Sequence, residues 1–217
     1  RGHGMSSGPH EEEGYSIPIS SGDVCELLRL LGIDRCCLIG HSMGGYVALQ
    51  CALDHPDTVR ALVLVDTSSG TFEVAPGYPE MRAKMDELAR DEGIDAAFEY
   101  EATHNPIRVE RFRRHPERRE VARRKALGTS VDGYIYVARS FEKWKPVTDR
   151  LGEIRVPALI FRGEEDVPFA AAGETLRDAI AGSELVIVPG AGHFPHEEAP
   201  GIFNEKLMSF LAKAYRI

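Results

Sequence analysis

Ala61-Leu62-Val63-Leu64-Val65 sets five apolar residues side by side with nothing polar between them. The run is too short for a helix and lacks the alternation of a strand with one wet face. Strands of this kind are buried on both faces, which is the situation in a parallel sheet covered on either side by helices. Cys36-Cys37-Leu38-Ile39, Pro157-Ala158-Leu159-Ile160-Phe161 and Glu184-Leu185-Val186-Ile187-Val188 have the same character. Around them, apolar residues recur at helical spacing. Val24, Leu27, Leu28 and Leu31 end at Gly32, Val47, Ala48, Cys51 and Ala52 end at His55-Pro56, a third helix is predicted over residues 171–181, and Ile202, Phe203, Leu207, Phe210 and Leu211 close the chain. The alternation predicts an α/β fold, a mostly parallel sheet with helices on both faces. Residues 1–20, rich in Gly, Ser, Pro and Glu, read as loop. From 71 to 150 the sequence turns charged and helix-prone, so the expected organisation is a core of residues 1–70 and 151–217 with a helical cap, 71–150, inserted above the strand ends.

Composition excludes several functions. A net charge of −8 over 217 residues gives no positive face for phosphates, so no nucleic-acid partner is expected. No apolar stretch approaches the roughly 20 residues of a membrane helix, so no membrane partner is expected either. The four cysteines, Cys25, Cys36, Cys37 and Cys51, show neither zinc spacing nor disulfide-rich density. Cys36 and Cys37, neighbours on a predicted strand, read as small buried apolar residues, and a reducing, cytoplasmic compartment is expected. The histidines show no paired ligand spacing, and no metal or other cofactor is implied.

Gly40-His41-Ser42-Met43-Gly44 lies directly between a predicted strand and a predicted helix. A serine hydroxyl becomes a useful nucleophile only where a base can take its proton and N–H groups can meet the developing oxyanion, and a sharp strand-to-helix turn offers that exposure. Gly40 and Gly44 are read as the positions where side chains would crowd this turn. His193 follows the fourth apolar run and Asp166 the third. In a parallel sheet, loops leaving successive strands converge on one rim, which brings Ser42, Asp166 and His193 together as nucleophile, acid and base. Glu164, Glu165 and Asp66 compete with Asp166 for the acid's place, and Asp66 reads as a carboxylate that caps a loop. His41 reads as packing or lining, and His196 as structural or solvent-facing.

These residues resemble the α/β-hydrolase superfamily, in particular its capped serine esterases and lipase-like hydrolases. Gly40 to Gly45 resembles the family's nucleophile elbow, Gly163-Glu164-Glu165-Asp166 its acid loop, Gly190-Ala191-Gly192-His193 its histidine loop, and Arg1 to Ser6 the loop after its fourth strand. The resemblance implies Ser42 as nucleophile, Asp166 as orienting acid, His193 as general base and the Met43 N–H as one oxyanion donor. It implies a small-molecule carboxylic ester as substrate, cleaved through an acyl-enzyme. Phe194, immediately after the candidate base, is read as the aromatic nearest to that substrate. The same triad also serves carbon-carbon bond hydrolases and enol-lactonases. A hydrolase-like protein that binds a ligand without turnover is the third alternative.

Family members carry strands and a second oxyanion donor ahead of the Arg-Gly-His-Gly loop, so an N-terminal segment is expected to pair with the Cys36 strand, or that strand to mediate self-association. His3-Gly4 is assigned no oxyanion role. The arginine-rich run from Arg108 to Arg124 reads as a solvated helix pair. Aromatic residues of the same region, Phe98, Phe112, Tyr134 and Trp144 among them, are candidates for lining an acyl pocket.

Overall fold

The computed structural model describes residues 1–70 and 76–215, so the expected start of the inserted segment at residue 71 lies outside the described residues. The elements follow in the order α1 (Ile17–Leu30), β1 (Cys36–His41), α2 (Met43–Asp54), β2 (Val59–Val65), α3 (Tyr78–Asp91), α4 (Ile94–His104), α5 (Pro106–Arg114), α6 (Glu117–Leu127), α7 (Val131–Glu142), β3 (Ala158–Gly163), α8 (Ala170–Ala179), β4 (Glu184–Val188), α9 (Pro195–Glu198) and α10 (Pro200–Tyr215). They gather into two compact units, Arg1–Ser16 with Val74–Lys143 and Ile17–Glu73 with Trp144–Ile217.

The second unit holds the sheet. Its four strands run parallel in the order β1-β2-β3-β4. The register sets His41 against Val65, Val65 against Phe161, and Gly163 against Val188, so the carboxyl ends fall along one rim. Alternate side chains take opposite faces. Ala61, Val63, Val65, Leu159 and Phe161 pack with Phe203 and Phe210 of α10, the rings of Phe161 and Phe203 lying 4.4 Å apart. The intervening Leu62, Leu64 and Ile160 are buried on the side taken by α2 and α8. Each such side chain withdrawn from water contributes about 1.5–3 kcal/mol.

Burial of the apolar side chains is complete in the two central strands and fails at the edges. Val59 and Ala61 through Val65 are at most 1% exposed, whereas Ile39 of β1 is 52% exposed and Ile187 of β4 is 45% exposed. Among the described residues β1 pairs with β2 alone, and Cys36 and Cys37 are half-buried free thiols.

Residues 17–20, expected as loop, are helical. Pro18 sits in the first turn of α1, where its missing N–H has no helical partner to lose. Ser21 is fully buried, its hydroxyl donating to Cys51 Sγ at 3.2 Å, so a segment polar in composition packs against α2. The far end of α1 behaves as its glycine predicts. Gly32 has φ +66°, and the N–H groups of Gly32 and Ile33 return to the carbonyls of Arg29 and Leu28.

The first unit is helical, and residues 1–16 belong with it. Ser130 N–H donates to Gly2 O at 2.9 Å, Gly4 N–H to Gly128 O at 2.6 Å, and Arg139 meets Glu12 at 3.1 Å. Phe98 and Phe112 pack on each other with Ala102, while Ala89, Ile94, Ala97 and Ile135 form a second cluster. The arginine run is neutralised largely from α4: Arg108 pairs with Glu101, Arg119 with Glu99 and Arg123 with Asp95, while Arg113 and Arg114 share Glu110. Trp144 stacks on Tyr46 in the sheet unit and donates to Gln50 at 2.8 Å. Phe98, Phe112 and Trp144 are thus packing residues, since each is under 10% exposed. No helix among the described residues is long and apolar enough to cross a membrane.

Candidate active site

Ser42 stands at the junction of β1 and α2. Its N–H extends the sheet by donating to Val65 O at 2.9 Å, and its backbone then breaks sharply, with φ 52° and ψ −120°. Such a conformation costs a non-glycine residue on the order of 1–3 kcal/mol and persists only when its surroundings impose it. Ser42 and Asp66 are the two non-glycine residues with positive φ among the described residues. The Ser42 side chain makes no capping bond to α2. Met43 opens that helix, so its N–H has no intrahelical acceptor.

Two glycines make the turn possible, and they are not both the expected ones. A Cβ on Gly40 would overlap the Gly44 carbonyl, and one on Gly45 would overlap the Thr67 side chain. A Cβ on Gly44 would meet nothing within 4 Å, so the crowding expected there belongs to Gly45. Thr67, 3% exposed, donates its hydroxyl to Ser42 O at 2.7 Å and clamps the turn from the β2 side.

The loops after β3 and β4 are pressed together. A Cβ on Gly163 would overlap the carbonyls of Ala191 and Gly192, and Glu165 N–H donates to Ala191 O at 2.9 Å. Glu164 accepts from Gly190 N–H and Glu198 from Gly192 N–H, fixing the loop on both sides of His193. The outcome is a bond of 2.8 Å between His193 Nδ1 and Asp166 Oδ2, with Asp166 3% exposed. Donation from Nδ1 leaves the other ring nitrogen, Nε2, as the acceptor. Glu164 and Glu165 are exposed, so burial separates Asp166 from both of its neighbours.

His41 ties the two halves of the site. Its Nε2 donates to the His193 carbonyl at 2.6 Å, so the residue adjoining Ser42 touches the residue carrying the candidate base. Burial first, and the nearby His193 second, push the His41 imidazole down to about 3, which keeps it neutral and a donor. The His193 ring also lies within about 5 Å of the His41, Phe169 and Phe194 rings. Among the described residues no hydrogen bond joins the Ser42 hydroxyl to His193. Contacts of this kind commonly tighten only around bound substrate.

Asp66 is drawn into the same place. It is 1% exposed and accepts from Gly163 N–H at 2.9 Å through Oδ1, as a loop-capping carboxylate would. Burial, followed by a hydrogen bond to Asp166 and the charge there, pushes its carboxyl up to about 9. One donor atom each from Asp66, Asp166 and His193 lies within 4.8 Å of the others. Sequence reasoning missed Thr67, the packing of Gly45 and Glu198; it brought Asp66 to the site as a rival of Asp166, whereas the structure sets both carboxyls there together. The doubled glycine at 44 and 45 was the one signal available.

Comparison with known proteins identifies the fold that carries these loops. The family model described as "alpha/beta hydrolase fold" matches residues 1–200. A 2-hydroxy-6-oxononadienedioate/2-hydroxy-6-oxononatrienedioate hydrolase of Klebsiella pneumoniae is 32% identical over 193 residues, covering 85% of this chain and 65% of its own. The crystal structure of the enol-lactonase from Burkholderia xenovorans superposes with a TM-score of 0.82 at 28% identity, covering 98% of this chain and 78% of that one. A thermophilic esterase from Thermogutta terrifontis gives 0.79 at 28% identity, covering 99% and 78%. With a matching model over most of its length and a parallel sheet whose rim carries these loops, the chain belongs to the α/β-hydrolase fold family.

Proposed function

We propose that the protein is a serine hydrolase cleaving carboxylic esters of small or medium acyl groups. The observation that carries this reading is the bond of 2.8 Å from His193 to Asp166, in a loop that His41 ties to the strained turn at Ser42. In this reading Ser42 Oγ attacks the ester carbonyl while its proton passes to His193 Nε2, and Asp166 stabilises the imidazolium. The Met43 N–H faces the oxyanion. Collapse of the intermediate breaks the bond to the alcohol oxygen, which takes the proton from His193. Water, deprotonated in turn by His193, then releases the acid and restores Ser42. Phe194, half-buried beside His193, supplies apolar surface to the acyl group.

An enol-lactone is a cyclic ester, and the likeness to an enol-lactonase favours it as a second substrate class within the same chemistry. Turnover of 4-nitrophenyl acetate and covalent labelling by a fluorophosphonate test the mechanism. Both are expected in the wild type and absent in Ser42→Ala, and turnover retained by that variant refutes Ser42 as nucleophile. Rates on an open-chain ester and on an enol-lactone then rank the two classes.

A further inference from the structure

Two carboxyl groups, Asp66 and Asp166, are 1% and 3% exposed, and they converge with His193 at the end of β3. Asp166 uses one oxygen, Oδ2, on His193. Asp66 uses Oδ1 on Gly163 N–H, which leaves its Oδ2 buried with no donor directed at it. Two ionised carboxylates this near would repel inside a poorly solvated site, and neither could donate to the other. A single proton would allow a hydrogen bond in place of that repulsion. It belongs on Asp66, because Asp166 already accepts from the Nδ1–H of His193 through Oδ2.

We propose that Asp66 is a positioning residue for the triad acid: a neutral carboxyl whose Oδ2–H donates to Asp166 and holds that carboxylate against His193. The inference rests on the reading of Asp166 and His193 as acid and base. Asp66 is built to be held still. Its N–H donates to Phe161 O at 2.9 Å, its backbone takes φ 41° and its Oδ1 is fixed by Gly163. The groups that act on it are Asp166 and the Gly163 N–H from the end of β3, Arg162 from the same strand, and His193 from the loop after β4. Burial and Asp166 favour the protonated form, and the Gly163 amide and the Arg162 charge favour the ionised one. The first pair outweighs the second.

Asp66→Asn is the informative variant, because an amide can accept from Gly163 through its oxygen and donate to Asp166 through its nitrogen. It is expected to keep the wild-type kcat on 4-nitrophenyl acetate within about threefold, since the hydrogen bond is kept. Asp66→Ala is expected to lose about ten- to a hundredfold in kcat with KM little changed, the cost of one bond to a charged group. Wild-type activity should fall on the alkaline side as Asp66 ionises, and Asp66→Asn should lack that limb. Equal loss in both variants, or the same alkaline limb in Asp66→Asn, overturns the proposal.

A second measurement needs neither turnover nor a folded variant at every position. Carbon-13 NMR of the wild type labelled at aspartate carboxyls should show one that remains protonated through neutral pH. Its titration in the ordinary range near 4 overturns the proposal. A protein that hydrolyses no ester would refute the serine-hydrolase reading, and the carboxyl titration would still decide the state of Asp66.

Discussion

Gly163→Ala separates packing at the site from packing elsewhere, because the structure leaves no room for the added methyl group. The Cβ would overlap the carbonyls of both Ala191 and Gly192, which are backbone atoms and cannot swing aside as a side chain could. Relief requires the loops after β3 and β4 to part. Overpacking of this kind costs about 1–3 kcal/mol. Parting the loops also lengthens the bond of 2.9 Å from Glu165 N–H to Ala191 O, worth about 1 kcal/mol more. The expected loss is therefore about 2–4 kcal/mol, a large part of the roughly 5–15 kcal/mol that holds an ordinary domain together. The catalytic loss should be larger than the stability loss suggests, because the movement pulls Asp166 from His193. Loss of tautomer control by the acid can cost up to about ten-thousandfold. Gly44→Ala is the matched control: its Cβ meets open space and it lies in the first turn of α2, so stability should stay within about 1 kcal/mol of wild type. Urea unfolding followed by the fluorescence of Trp144, the single tryptophan and 8% exposed, reads both variants. Equal stability of Gly163→Ala and Gly44→Ala would refute the argument that loop contact holds the acid and base together.

Thr67→Val keeps the shape of the clamp on the Ser42 turn but removes the donor at 2.7 Å, so it should cost about 1 kcal/mol in urea unfolding and lower kcat without raising KM. Unchanged kcat would show that the turn holds without it. Asp66 should also write its raised value into stability. Its folded-state value lies above the unfolded one near 3.9, so its contribution is complete below about pH 4 and is lost as pH rises towards 9. The stability of wild type relative to Asp66→Asn should therefore decline between pH 5 and 8, by at most about 1.4 kcal/mol per pH unit. A flat or rising difference in paired urea titrations contradicts the sign.

The alternation of apolar runs with helical spacing made the sheet legible in advance, because burial on both faces leaves a direct mark on sequence. β2 and β3 carry that mark fully. β1 carries it too, and yet Ile39 is half exposed, since an apolar run records the surroundings a strand is suited to rather than the neighbours this chain provides. The start of α1 was illegible for the opposite reason. Ser20, Ser21 and Gly22 have a loop composition, and only the partner helix reveals that Ser21 is buried on Cys51. The arginines of α5 and α6 looked unbalanced because their acids, Asp95, Glu99 and Glu101, lie on α4, a connection that counting along the run cannot make.

Asp66 shows where residue-by-residue reading stops. Its position after a strand argues for a carboxylate capping a loop, and the bond to Gly163 N–H is such a cap. That bond occupies one oxygen, and sequence has no means of saying what faces the other. The answer depends on the register of β2 against β3, which sets Val65 opposite Phe161 and so carries Asp66 alongside the beginning of the acid loop. A second buried carboxyl then stands beside the first, and the proton proposed for Asp66 follows from that pairing. Roles assigned singly, one acid to one histidine, overlook a pair of this kind because what defines it is a shared proton, and a proton is shared only across a distance that tertiary structure creates.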